Sequence, residues 1–252
     1  MESAPVRPAV SLVLPALNEA ANLAPSLPVA CGLLDAVCDA FEIIVVDDGS
    51  TDDTAAVVRA AGLADPRVRL VQHERNRGYG SALRSGFAAA RHDRVVFTDA
   101  DLQFDLAELG PLLALSAQHE VVIGYRAPRR DPWNRRLNAW AWGCLVNRAF
   151  DLNVRDVNCA FKVFHRPLLQ ELELRSEGAF VNTELLAQLR ARGASICEVP
   201  VTHRPRVHGQ QTGAQPRVVL RAFVELAGLY GALHRSQEGS RLRGGLRAVL
   251  SR

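Results

Sequence analysis

Two carboxylates stand close together in Thr98-Asp99-Ala100-Asp101-Leu102-Gln103, directly after the short apolar run Arg94-Val95-Val96-Phe97. That run reads as a buried strand. In extended backbone alternate residues point the same way, so Asp99, Asp101 and Gln103 share one side. Two carboxylates this close repel unless something positive lies between them. A hard divalent cation fits, because it takes oxygen ligands, and Mg2+ commonly shares carboxylates with substrate phosphates. The stretch is a candidate anchor for a metal and a diphosphate; a polar loop after a strand is the plain alternative.

Several elements must position it. Val10–Leu14 is a short apolar run closed by Pro15, and Phe41–Val46 and Val68–Val71 are two more strands. Between them the pattern turns helical, from Asn18-Glu19, with Asn18 as a possible N-cap, to about Cys38, and again over Asp53–Ala61 and Ala82–Ala90. Ser50 or Thr51 can cap the second of these helices. Strand and helix in alternation, joined by short loops, predict a parallel sheet wrapped by helices. Ligands of such sheets bind beyond the carboxyl ends of the strands. The polar motifs all fall there: Pro15 to Glu19, Asp47 to Gly49, Asn76 to Gly80, and Asp99 to Gln103. Structural polar loops would scatter to both ends. No G-x-G-x-x-G follows the first strand and no Walker lysine is present, so acidic residues must work through a metal. Asp47 or Asp48 can accept hydrogen bonds from a base or ribose.

The chain has 252 residues, 48% of them hydrophobic and 23% charged, which suits one large domain or one domain with a small appendage. A net charge of +3 is too small to argue for nucleic acid. Five scattered cysteines without a C-x-x-C pair argue against a zinc site and a disulfide framework, and for a reduced, intracellular setting. The first residues lack a signal-peptide pattern. No run of about 18 apolar residues occurs, so no membrane span is expected. The segment from Leu137 to Phe150, with Trp133 just before it, holds all three tryptophans and carries arginines at its margins. It reads either as a helix lying in a membrane interface or as an ordinary core helix. A further helix is predicted over Pro216–His234, where Arg221 and Glu225 exclude a span. The basic, leucine-bearing tail 241–252 reads as an attractor for anionic lipid or as a disordered end.

Four motifs in order, Val-Leu-Pro-Ala-Leu-Asn-Glu (13–19), Ile-Val-Val-Asp-Asp-Gly-Ser-Thr-Asp (44–52), Asn-Arg-Gly-Tyr-Gly-Ser-Ala-Leu-Arg-Ser-Gly (76–86) and Asp-Ala-Asp-Leu-Gln (99–103), resemble glycosyltransferase family 2. Cys-Ala-Phe-Lys-Val-Phe (159–164) and Glu-Val-Pro-Val (198–201) add to the likeness. Within the family the chain is similar to dolichyl-phosphate mannosyltransferase and other polyprenyl-phosphate sugar transferases. The resemblance implies an α/β fold of GT-A type: a Rossmann-like nucleotide-binding sheet flanked by helices, a catalytic domain over residues 9–212, and a C-terminal helix and basic tail over 213–252. It implies a nucleotide-sugar donor, Mg2+ or Mn2+, a polyprenyl phosphate acceptor, and a peripheral site on the cytoplasmic face of the membrane, with a membrane-protein partner or a second copy possible.

Carried over by motif, Pro15, Leu17 and Glu19 border base and ribose, and Val46 and Asp48 hold the nucleoside. Asp99, Asp101 and Gln103 form the metal shell, with Thr98 and Ala100 lining the donor. Arg126 and Arg206 match arginines that bind phosphate. The family lysine six residues after that second arginine is Thr212 here, so Arg217 or Arg221 would have to supply its charge. Glu184 either faces the sugar or serves the start of its helix.

Two other functions compete. Transfer to a hydroxyl of a glycan or small lipid needs a base, with Asp101, Asp105 or Glu184 as candidates. A non-catalytic nucleotide-sugar binding subunit has no need of a metal shell. A nucleotidyltransferase is disfavoured, because Pro15–Ala21 carries no lysine or arginine.

Overall fold

The computed structural model describes residues 7–101, 103–127, 133–205 and 221–233. Seven strands form one sheet: β1 (Ala9–Ala16), β2 (Ala40–Asp47), β3 (Val68–Gln72), β4 (Arg94–Phe97), β5 (Val121–Arg126), β6 (Lys162–His165) and β7 (Ile196–Val201). Their order is β3-β2-β1-β4-β6-β5-β7. The helices are α1 (Ala20–Val37), α2 (Thr54–Ala64), α3 (Tyr79–Ala89), α4 (Leu109–Leu115), α5 (Trp133–Phe150), α6 (Arg166–Gln170) and α7 (Val181–Ala191), and residues 221–233 are helical too.

The first four strands and three helices lie where the periodicity places them, α3 starting at Tyr79 rather than Ala82. β1 and β2 are buried along nearly their whole length, as continuous apolar strands covered on both faces are. The sheet departs from the all-parallel expectation at β6, which runs antiparallel to both β4 and β5. The other neighbours, β1 with β2 and β4, β2 with β3, and β5 with β7, are parallel. The reversal has a consequence for the site. Lys162 opens β6 opposite Phe97, the last residue of β4, so β6 delivers its first side chain to the edge where the parallel strands end.

Helix α1 is 18 residues long and, by length and composition only, apolar enough to cross a membrane. The run carries Asn22, Ser26, Gly32 and two prolines, which is why it does not stand out as an unbroken apolar stretch. Its buried residues, Leu23, Leu27, Ala30 and Leu34, recur at helical spacing, and α1 connects two hydrogen-bonded parallel strands. That makes it a crossover helix seated on the sheet. Under the site, Phe97 stacks on Phe164 at 6.0 Å, and Phe87 closes on both.

Candidate donor site

The loops after β1 and β2 are tied to each other. Asn18 adopts φ 57 and is not the cap of α1. Its Oδ1 accepts from Thr51 N at 2.8 Å, and its own N–H donates to Ser50 Oγ at 2.8 Å. The first N–H groups of the α1 end go instead to the neighbouring loop, Glu19 N to Thr54 Oγ1 at 2.9 Å and Ala20 N to Asp52 Oδ2 at 3.2 Å. Neither Ser50 nor Thr51 caps α2, which Asp53 precedes with no side-chain cap bond. Pro15 and Glu19 are buried and Leu17 is exposed; Glu19 Oε2 accepts from Asn22 Nδ2 at 2.5 Å. Asn22 Oδ1 is buried without a partner.

Asp47 ends β2, Asp48 follows it, and both are buried. Asp47 accepts from Ser50 N and Gln72 Nε2. Asp48 accepts from Arg77 N at 2.9 Å and Gly78 N at 2.8 Å, and its Oδ1 lies 2.6 Å from His73 Nδ1, whose other nitrogen meets Ser85 Oγ at 2.8 Å. Asp48 therefore fastens the 76–80 loop to the end of the sheet. Gly78 has φ 93 there, and a β-carbon at that position would run into the Glu177 carbonyl. Val46 is fully buried in the strand beneath.

At the end of β4, Thr98, Ala100, Asp101 and Gln103 are buried and Asp99 is half-buried; Leu102 lies outside the described residues. Asp99 Oδ1 accepts from Tyr79 Oη at 2.9 Å. Burial, with the Asp99 carboxylate next in weight, holds the Tyr79 phenol well above its ordinary range. Asp101 Oδ1 accepts from Gln103 N at 3.2 Å. Gln103 Nε2 donates to the Arg204 carbonyl at 3.0 Å, and Arg204 N donates back to Gln103 O at 2.7 Å, so the segment after β7 is stitched to this loop. With the amide nitrogen so engaged, the amide oxygen is the Gln103 atom with ligand chemistry. Thr98 Oγ1 is buried with no partner.

Among the described residues no cluster of three or more His, Cys, Asp or Glu side chains gathers. The protein thus offers two carboxylates and an amide oxygen, an all-oxygen set. Such a set fits Mg2+ or Mn2+ when a diphosphate completes the shell, and an orphaned threonine hydroxyl beside it fits the same ligand.

Arg126 ends β5, and a residue that the motif spacing does not single out meets it. Arg126 Nε donates to Asp156 Oδ2 at 2.7 Å and Nη2 to Asp156 Oδ1 at 2.9 Å. Spacing does not single out Lys162 either, although a charge inside Cys159–Phe164 is a signal in an otherwise apolar run. It is wholly buried, donates to the Cys159 carbonyl and, at 2.8 Å, to Asn182 Oδ1, and sits 5.1 Å from the centre of the Phe97 ring. Burial pushes its ammonium down to about 8, against the pull of Cys159, Asp156 and Asp99.

Glu184 is buried in the first turn of α7. Its two oxygens accept from Arg175 N at 2.9 Å and Ser176 N at 2.8 Å, so it anchors the segment before α7. Arg221 pairs with Glu177 at 2.8 Å and Glu225 at 3.1 Å. Arg206, Thr212 and Arg217 lie outside the described residues.

Comparison with known proteins bears on the frame that carries these residues, in which the strand order turns from β1 to β4. The sequence profile described as glycosyl transferase family 2 matches residues 11–172. The chain belongs to glycosyl transferase family 2. An undecaprenyl-phosphate 4-deoxy-4-formamido-L-arabinose transferase of Sodalis glossinidius is 36% identical over 208 residues, 79% of this chain and 61% of that protein. Glycosyltransferase AglD of Haloferax volcanii is 32% identical over 207 residues, 78% of this chain and 33% of that one. The chain thus spans from a third to about three-fifths of the length of these curated relatives. Among solved structures, glucosyl-3-phosphoglycerate synthase of Mycobacterium tuberculosis, in complex with Mn2+, UDP and glucosyl-3-phosphoglycerate, superposes with a TM-score of 0.67 at 26% identity, covering 88% of this chain and 80% of that one. The expected family and GT-A fold both stand.

Proposed function

We propose that this domain transfers one sugar from a GDP- or UDP-hexose to a polyprenyl phosphate at the cytoplasmic face of a membrane, with inversion. The observation that carries the proposal is the oxygen set of Asp99, Asp101 and Gln103 beside the unpartnered Thr98 hydroxyl. The relatives support the acceptor class, being named for undecaprenyl and dodecaprenyl phosphate.

Asp99, Asp101 and Gln103 would hold Mg2+ or Mn2+, which supplies charge to the departing diphosphate. The nucleoside packs between the loops at 15–19 and 46–50, where Glu19, Asp48 and the orphaned Asn22 Oδ1 offer acceptors. A phosphate oxygen of the acceptor forms the new bond to the anomeric carbon as the bond to the diphosphate oxygen breaks, and that electron pair leaves with the nucleoside diphosphate. The attacking oxygen is already ionised, so no residue need remove a proton. Arg126, held in place by Asp156, and Arg206 offset the repulsion of two phosphates.

Residues 9–212 are read as the catalytic domain and 213–252 as its extension. The membrane reading rests on α5. Trp133 (77% exposed), Leu137 (51%) and Trp140 (66%) follow one another at helical spacing on its outer side. Trp142 turns inward against Phe180 and Phe223, and Phe150 meets Tyr230, so helix 221–233 lies along α5 and adds the exposed Val224. An outward stripe of tryptophan and leucine suits a lipid interface better than a core helix.

A hydroxyl acceptor is the second reading, favoured by the likeness to a synthase crystallised with glucosyl-3-phosphoglycerate. A radiolabelled panel of nucleotide sugars, given membranes and Mg2+ or Mn2+, separates the two, with Asp101→Ala as control. Label entering an organic-extractable, mild-acid-labile lipid only with the unmodified protein is the expected result. Label confined to water-soluble products would replace this reading with the hydroxyl acceptor. Nucleotide binding without transfer from any donor would point to a binding subunit.

A further inference from the structure

His73 is a buried side chain, 7% exposed, to which the proposed transfer gives no role. Its backbone is fixed by the sheet: His73 N donates to the Asp47 carbonyl at 2.9 Å, one residue past the last pair of β2 and β3. From there the ring joins Asp48 to α3. Nδ1 lies 2.6 Å from Asp48 Oδ1, and Nε2 lies 2.8 Å from Oγ of Ser85, a residue of α3. Packing alone does not account for a histidine here, since a phenylalanine ring fills similar space without two polar atoms to satisfy.

The ring limits what Asp48 can offer a ligand. A carboxylate only accepts, so Nδ1 must carry the hydrogen that points at Oδ1, and the Ser85 hydroxyl, able to donate or accept, holds the ring at Nε2. Oδ1 then accepts twice, from His73 Nδ1 and from Arg77 N at 2.9 Å, while Oδ2 accepts once, from Gly78 N at 2.8 Å. A carboxylate has about four acceptor places, two on each oxygen. Oδ1 is therefore filled, and the place that is left lies on Oδ2. The two amides belong to the loop that Asp48 itself fastens, whereas His73 is anchored in the sheet. It is thus the donor that fixes the plane of the carboxylate against the frame.

We infer that His73 is a positioning residue for Asp48, holding Oδ1 so that Oδ2 is the oxygen presented to an N–H or O–H of the donor's nucleoside. The inference rests on the nucleoside reading of Asp48.

The test is isothermal titration of the full chain with UDP and with GDP, Mg2+ present. Asp48→Asn comes first. If the unmodified protein binds neither nucleotide, or Asp48→Asn binds as tightly, the nucleoside reading fails and this inference with it. Where Asp48→Asn loses affinity, two amides at position 73 separate positioning from packing. In His73→Asn the side-chain NH2 falls where Nδ1 was and still donates to Asp48; in His73→Gln the amide falls nearer Nε2 and does not. His73→Asn is expected to hold the nucleotide Kd within about twofold and His73→Gln to raise it about tenfold, the scale of one hydrogen bond to a charged group. His73→Asn also leaves the larger void, so its thermal unfolding should lie at or below that of His73→Gln. A purely structural role would make affinity follow stability, in the opposite order. In the Asp48→Asn background His73→Gln should add nothing, because both changes act at one contact. Should either amide variant not fold, His73→Phe takes its place: it keeps a ring, loses the donor, and is expected to raise the Kd about tenfold. An unchanged Kd in His73→Gln or His73→Phe, an equal loss in His73→Asn and His73→Gln, or a further loss in the Asp48→Asn background would overturn the inference while leaving the nucleoside site intact.

Discussion

Arg126 and Asp156 face each other across two hydrogen bonds, 2.7 and 2.9 Å, with the arginine side chain 16% and the aspartate 6% exposed. The arginine expected to bind phosphate is thus pre-set by a carboxylate 30 residues away in sequence. Removing one partner strands a charge in a poorly solvated place. Arg126→Ala should cost about 3 kcal/mol of stability, and Asp156→Ala a similar amount. The double variant should recover most of that loss in chemical denaturation but not transfer activity. Recovery of activity in the double variant would mean that Arg126 is structural only.

Membrane attachment should reside on α5. Leu137→Glu with Trp140→Glu replaces two exposed apolar side chains, at 51% and 66%. Each is worth about 1.5–3 kcal/mol when buried, so binding to anionic vesicles should fall at least tenfold. Thermal stability should hold, because neither side chain supports the core. Unchanged co-sedimentation would place the attachment elsewhere.

Acid should weaken the protein partly through Asp65. Hydrogen bonds from Arg67 hold this carboxyl down to about 2 from its ordinary 3.8. A depressed carboxyl stabilises the folded state above pH 3.8, and that contribution is lost as pH falls from about 4 to 2, because the unfolded chain protonates first. The displacement is worth at most about 2 kcal/mol, and solvent at Arg67, 40% exposed, reduces it to about 1 kcal/mol. Asp65→Asn should therefore differ from the unmodified protein by that amount at pH 7 and by only a small part of it near pH 2, as urea titrations at both values would show.

The thiols should separate by reactivity. Cys144 is exposed on α5, whereas burial pushes Cys38 up to about 11 and Cys159 up to about 12. At pH 8 iodoacetamide should modify Cys144 first and leave Cys38 and Cys159 untouched until the protein unfolds. Mass spectrometry of digests checks the order, and early modification of Cys159 would contradict the packing at the end of β5.

The order of the strands' residues along the chain carries much of the frame by itself. Continuous apolar runs such as Ile43–Val46 commit to buried strands because both faces of the sheet are covered, and Asp99 and Asp101 follow β4 because the chain turns there. Local sequence determines these features, since they depend on the period of side chains along a few residues. The assignment of Asn18 as a cap fails for a related reason: the acceptors for the α1 end, Asp52 and Thr54, come from another loop. Only the tertiary structure decided the partners of the site residues. Asp156 meets Arg126, Lys162 meets Asn182, and Tyr79 meets Asp99, across separations that no local pattern encodes. Lys162 reaches the end of β4 because β6 runs against its neighbours, and the direction of a four-residue strand depends on which edges remain open when the rest of the sheet has formed.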